Sequence, residues 1–264
     1  MQRRSLLRTA QLRSALGTGA VAFVLIAAAT SGRGSMSTCG KTKLFKAHGV
    51  IVWSTPNHSR GIFYKSGFAI DADGAFRAYH PNDRFALDAL VHAGRPGNWW
   101  ALVTDNDKKN GRPVVQGESD PAPGYYVSTT ALFDPDNPNV RDPRRYVDAA
   151  KIPYVVLHPK ALKYARLGDF ATVVNLQNGQ LSGALAADES ASDLPVGEGS
   201  IALAEALGID SNPRSGGEDG HVAYVIYPGS GNGRPRRIED IAWNSKQLFE
   251  MWGGLKTLDA CLGQ

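Results

Sequence analysis

Two carboxylates, Asp188 and Glu198, stand ten residues apart where a β-like run gives way to a helix-like one. Two acids that flank a bond can act as proton donor and proton acceptor, which is the requirement of acid/base hydrolysis. Upstream, residues 172–176 followed by Asn178-Gly179 read as a strand and turn, and residues 185–187 as a second strand ending at Asp188. Downstream, residues 200–207 read as a helix. Gly197 and Gly199 bracket Glu198, so the backbone there can bend sharply and carry the carboxylate toward a cleft. From the residues alone a plainer reading stays open, in which Glu198 caps the first helical turn and Asp188 is a loop acid.

The elements that must position such a pair come from a chain of 264 residues with 42% apolar content, 29 glycines and 15 prolines. That composition points to a loop-rich, β-leaning globular fold. Residues 1–29 hold Arg3, Arg4, Arg8 and Arg13, no acid, and an uncharged apolar run over 20–28. This reads as a cleavable export signal with Ala27-Ala28-Ala29 as the cleavage region. Arg3-Arg4-Ser5-Leu6-Leu7 partly fits a twin-arginine signal. With four of the 29 basic residues in the leader, 25 remain against 25 acids, so the net charge of +4 belongs to the leader. No basic stripe with interleaved aromatics is left to recommend nucleic acid as a partner. Export predicts a secreted or periplasmic protein, without stable membrane association once the signal is removed, and a monomer. The two cysteines, Cys39 and Cys261, stand near the two mature termini and are expected to pair in an oxidising compartment.

Residues 30–42 are rich in Gly, Ser and Thr and read as a flexible entry segment, leaving 43–264 as a single catalytic domain. Within it, residues 49–53, 61–64, 75–79, 99–103 and 125–128 are short β-branched or aromatic runs between Asn, Asp, Gly and Pro. Residues 154–157, 171–176, 181–187 and 222–227 give four more strands, and the spacing predicts a terminal helix over 238–255.

Taken in order, several pieces resemble the fungal-type chitosanases, glycoside hydrolase family 75, from about residue 61 to 231. They are Asp71-Ala72-Asp73-Gly74 with Arg77-Ala78-Tyr79-His80-Pro81, then Gly97-Asn98-Trp99-Trp100, then Asp120-Pro121-Ala122-Pro123-Gly124-Tyr125-Tyr126. Gly168-Asp169-Phe170, Gly197-Glu198-Gly199-Ser200 and Tyr227-Pro228-Gly229-Ser230-Gly231 follow. The resemblance implies a secreted enzyme that cuts β-1,4 glucosamine linkages within chitosan by an inverting two-carboxylate mechanism. Its catalytic acids match Glu198 as acid and Asp188 as base. The family usually carries Asp-x-Gly-Pro before a short link, where this chain has Asp188-Glu189-Ser190-Ala191 and a link one residue longer, leaving Glu189 and Asp193 as further acids nearby. The segment is also similar to double-psi β-barrel proteins such as rare lipoprotein A. The expected fold is therefore mainly β with a few helices (α+β), a β-barrel whose candidate form is the six-stranded double-psi type, with a loop-rich N-terminal elaboration.

A polycationic substrate asks for acids against its ammonium groups and aromatics against its sugar faces. Asp71, Asp73 and Asp120, beside Tyr79, Trp99, Trp100, Tyr125 and Tyr126, supply both, and Asp105 adds to the acids. Neighbours on a strand face opposite ways, so one of Trp99 and Trp100 is expected in the core. The six histidines, at 48, 58, 80, 92, 158 and 221, show no metal-ligand spacing. Asp71-Ala72-Asp73-Gly74 reads as a turn for want of the distal Glu of a calcium loop, so no metal or cofactor is expected. Ser230 reads as a loop hydroxyl because Pro235 follows closely where an esterase would begin a helix. Two other functions fit the sequence, a hydrolase of bacterial cell-wall glycan and a non-catalytic polysaccharide-binding relative.

Overall fold

The computed structural model describes residues 39–56 and 61–263. The expected export signal, all of the entry segment before Cys39, and His58 lie outside the described residues. A hairpin of β1 (Thr42–Ala47) and β2 (Val50–Ser54) leads into the long β3 (Ile62–Asp71). The chain then runs through loops and two short strands, β4 (Gly94–Arg95) and β5 (Asn98–Trp99). After these come β6 (Tyr154–Leu157), β7 (Phe170–Asn175), β8 (Leu181–Glu189) and β9 (Glu198–Ser200). Helix α1 (Ile201–Ala206), β10 (Glu218–Ile226), α2 (Ile238–Trp252) and α3 (Gly254–Leu262) complete the order.

Strands β3, β10, β7, β8, β6 and β9 hydrogen-bond in that sequence, and β9 pairs back onto β3, closing a six-stranded mixed β-barrel. The β6–β8 and β3–β9 pairs are parallel and the others antiparallel. The expected barrel with its loop-rich N-terminal elaboration is what forms. Closure explains why the runs 154–157 and 222–227 are apolar on every residue: both faces of the sheet are buried there. Val155, Ala186, Val173, Val222 and Tyr224 fill the interior together with Leu203 and Leu207 of the α1 region. Their neighbours, among them Tyr154, Val156, Leu185, Ala223 and Val225, face outward beneath the loops and the terminal helices. Tyr64 stacks on Tyr224 inside the barrel with ring centroids 4.7 Å apart, a contact of about 0.5–1.5 kcal/mol beyond its area.

The run 75–79 is not a strand. Ala75 and Ala78 close successive turns by donating to Ala72 and Ala75 carbonyls, because Ala75, Ala78 and Tyr79 are all buried and a flat strand cannot bury neighbours on both sides at an outer layer. Residues 99–103 and 125–128 meet only as isolated bridges such as Leu102 with Ser128. This layer is held by Asx turns, in which Asp71, Asn82, Asp134, Asp142 and Asp148 side chains accept the amide two residues on. The terminal helix divides at Gly253 into α2 and α3. Cys39 and Cys261 form the expected disulfide, which ties the chain just before β1 to α3. The described end of the entry segment, residues 39–42, is thus anchored, and Thr42 already belongs to β1. No helix among the described residues is long and apolar enough to cross a membrane.

Candidate active site

A cleft of about 730 Å³ opens over the ends of β3, β8 and β9. Asp188 reaches it through a β-bulge. Along the β8–β6 pair Ala186 stands opposite Val155 and Asp188 opposite Val156, so Ala187 is an extra residue, and the bulge turns the Asp188 side chain to the outer face shared by Ala187 and Val156. The Asp188 Oδ1 atom accepts amides from Ala131 at 3.0 Å and Glu189 at 2.8 Å, which fixes the carboxylate in place.

Glu198 starts β9, and the glycines beside it are each needed. Gly197 has φ +110°, and a Cβ there would sit 2.2 Å from Ser66 Oγ. A Cβ on Gly199 would lie 2.8 Å from Phe68 Cζ and 2.9 Å from Leu203 Cδ2, so this residue faces the packed interior and Glu198 faces out. The helix cap is Ser200, whose hydroxyl accepts the Leu203 amide at 3.1 Å and the Tyr154 amide at 3.0 Å while donating to the Ile152 carbonyl. Glu198 is therefore free of the capping role that sequence left open. Among the described residues no group hydrogen-bonds to its carboxyl.

The antiparallel β6–β9 register sets Gly199 against Val155 and hence Glu198 against Val156. Asp188, Val156 and Glu198 thus form one row across three adjacent strands, with roughly 9–10 Å between the outer two backbones. Asp71 ends β3, two residues past Ala69, which pairs with Glu198. One oxygen each from Asp71, Asp73 and Asp188 lie within 4.8 Å of one another. Asp71 accepts the Asp73 amide at 2.8 Å, and Asp73 accepts the Tyr79 hydroxyl at 2.6 Å. The Tyr154 hydroxyl donates to the Asp73 carbonyl. These three acids are the only group among the described residues whose spacing would admit a metal ion, and an acidic cluster alone defines no metal site.

Burial is the first cause of a raised pKa in all four acids, and the charge of one or more nearby carboxylates adds to it in each, for Asp71 that of Asp88. Asp71 is pushed up to about 6 by burial, with the Asp73 amide and the Tyr154 side chain pulling it back. Asp188 is held well above the ordinary carboxylate range by burial and then by the Asp71 charge, against the two amides it accepts. Glu198 is raised by burial, then by Asp71, Asp188 and Asp88. Asp73 rises through burial and the charges of Asp71 and Asp188, opposed by the Tyr79 hydrogen bond. Four close carboxyls cannot all ionise together near neutrality, so the cluster keeps an acid and a base side by side.

Of the sequence-expected substrate residues, Asp71, Asp73, Tyr79 and Trp100 line the cleft. Trp100 is half exposed and anchored by its indole N–H to the His92 carbonyl at 2.8 Å, whereas Trp99 is buried in the core. Asp120 lies elsewhere, accepting the Gly117 amide and facing Arg144. Tyr125 also lies outside the cleft, bonded to the Phe85 carbonyl and set against His80, and Tyr126 packs on the core. Asp105, paired with Arg112, is outside it too. Glu189 and Asp193 of the altered link do reach the cleft wall.

Three ionisable lining residues, Asp88, His92 and Arg214, escaped the sequence reading of the site. Buried Asp88 is gripped by His92 at 2.8 Å, an i,i+4 Asp/His spacing that was legible in principle. Arg214 spans to the 83–88 loop, binding Asp83 and the carbonyls of Asp83, Leu87 and Asp88, and nothing local in sequence announces it. Other pieces of the motif set are structural. Asp169, fully buried, accepts the amides of Arg166, Gly229 and Gly231, and Ser230 caps the Phe170 amide, so Ser230 is a loop hydroxyl.

Two carboxylates on one wall of a surface cleft of a β-barrel are the residue types that acid/base hydrolysis of a glycosidic bond requires. Residues 126–261, just over half of the chain, match a family model described as fungal chitosanase of glycosyl hydrolase group 75. The chain belongs to that family and is a chitosanase-type glycoside hydrolase. No curated protein matches it significantly. Asp188 and Glu198 fall inside the matched span, and Asp71, Asp73, Tyr79 and Trp100 before it.

Proposed function

We propose that the protein is an exported, monomeric endo-chitosanase of one catalytic domain, hydrolysing β-1,4 glucosamine linkages with inversion. Glu198 is the general acid and Asp188 the general base. The observation that carries this reading is the row Asp188, Val156, Glu198, whose outer members stand two strand spacings apart on one wall of the cleft. An inverting pair needs roughly 6.5–9.5 Å between carboxyls to admit the attacking water. Glu198, protonated because it is buried among other acids, gives its proton to the leaving glycosidic oxygen as the C–O bond breaks. Asp188 takes a proton from water as the oxygen of that water bonds the anomeric carbon on the opposite face. The products are two shorter chains, and the proton gained by Asp188 balances the one lost by Glu198.

Aspartate 188 is a base held by two amides, and an Asn side-chain oxygen would still accept both. Asp188→Asn is therefore expected to fold normally and to release reducing ends from highly deacetylated chitosan about 10²–10⁴-fold more slowly than wild type. A variant as active as wild type would remove Asp188 from the mechanism.

A further inference from the structure

A second groove, of about 910 Å³, adjoins the catalytic cleft. The two share Ala69, Ser215 and Gly216 in their walls. Both follow the seam between β3 and β9, the cleft over Ala69, Asp71 and Glu198 and the groove over Ser66, Phe68 and Gly197. They form one path along the barrel surface.

The groove's chemistry selects its occupant. Asp210, Glu218 and Asp219 line it, and neither Lys nor Arg does. Across both walls Arg214 is the one such cation, and its guanidinium is committed to Asp83 and to carbonyls of the 83–88 loop. No Trp or Tyr lines the groove, so it lacks the ring platforms that a neutral polysaccharide would use.

A bulge builds the acidic wall. Glu218 pairs with Phe68 and Val222 with Ser66, so four steps along β10 match two along β3 and the intervening residues bow outward, with Gly220 at φ +91°. Glu218 is braced by His221 at 2.9 Å, which also meets Gln177 at 3.1 Å. Asp219, at the tip of the bow, is exposed and has no partner among the described residues.

We infer that this groove continues the substrate path, binding glucosamine units of the polymer beyond those that flank the scissile bond, with Asp219 and Glu218 receiving their ammonium groups. The inference rests on the chitosan-hydrolase reading above. Exposed ion pairs are individually weak and screened by salt, so the contribution falls on KM, needs a long chain, and fades at high ionic strength.

The test compares kcat/KM on a glucosamine tetramer and on long, highly deacetylated chitosan for wild type, Asp219→Asn and Asp219→Lys, at low and at high salt. Asp219→Asn should lower the polymer-to-tetramer ratio about 3-fold and Asp219→Lys about 10-fold, both through KM. Both losses should shrink in high salt. Equal losses on the two substrates, or no change in the ratio for Asp219→Lys, would overturn the inference. Wild-type protein inert on polymer and tetramer alike would instead overturn the chitosan reading on which it rests.

Discussion

Glu198→Gln should reduce kcat/KM on chitosan by about 10²–10⁴-fold and, at pH 7, unfold at a higher temperature than the wild type. The two halves of this result share one cause. Burial and the charges of Asp71, Asp188 and Asp88 make the proton on Glu198 hard to remove, which suits a general acid. The same environment makes the ionised form costly to the fold. Because the folded carboxyl binds its proton more tightly than the unfolded one, Glu198 costs no stability below the ordinary glutamate range. The penalty grows as pH rises from there through the raised folded value, then stays constant. A glutamine of the same shape carries no such penalty and loses no hydrogen bond, since none reaches the Glu198 carboxyl among the described residues. Melting curves of wild type and Glu198→Gln should therefore separate at pH 7 and converge toward pH 4. The wild-type rate should fall on the alkaline side as Glu198 loses its proton. A glutamine variant that is inactive and also less stable at pH 7 would mean that Glu198 holds the fold rather than the substrate's proton.

Removal of the disulfide, by Cys39→Ser with Cys261→Ser, is expected to cost about 4–5 kcal/mol, near the upper limit for a single bridge. The bridge closes a loop with a sequence separation of 222 residues, so reduction releases almost the whole domain in the unfolded state. Cys261 is fully buried and Cys39 packs against the same core as Leu258 and Trp53, so two serines would also place hydroxyls where no polar partner was designed. For a chain of this size such a loss corresponds to a fall in Tm of about 10–15 °C, measurable by thermal denaturation with and without reductant. A shift of only a degree or two would show that the β1 hairpin and α3 hold without the bridge.

The barrel strands are legible because closure buries both of their faces, which makes residues 154–157 and 222–227 unbroken apolar runs and leaves 171–176 interrupted only by the buried Thr172 and Asn175. The division of labour between Trp99 and Trp100 followed from strand alternation alone. Ser200 could be read as the start of a helix, but its part in freeing Glu198 from the cap depends on the Tyr154 amide, 46 residues away. The closing pair of β3 and β9 joins residues 69–71 to 198–200, too short and too distant in sequence for periodicity to reveal. The Ala187 bulge is likewise invisible from one strand, since register exists only relative to a partner. Loops bring in Asp88, His92 and Arg214, and loops also carry Asp120, Tyr125 and Tyr126 away from the cleft, because Asx turns fix local direction and leave tertiary placement to packing. The link after Asp188 begins with Glu189, whose amide, together with that of Ala131, holds the Asp188 carboxylate.

The most direct test of the Asp188–Glu198 mechanism is the anomeric configuration of the first product, read by proton NMR within seconds of mixing enzyme with highly deacetylated chitosan, before mutarotation. Water attacking opposite the β-linked leaving group predicts the α-anomer as the initial product. An initial β-anomer would contradict inversion and the assignment of Asp188 as base.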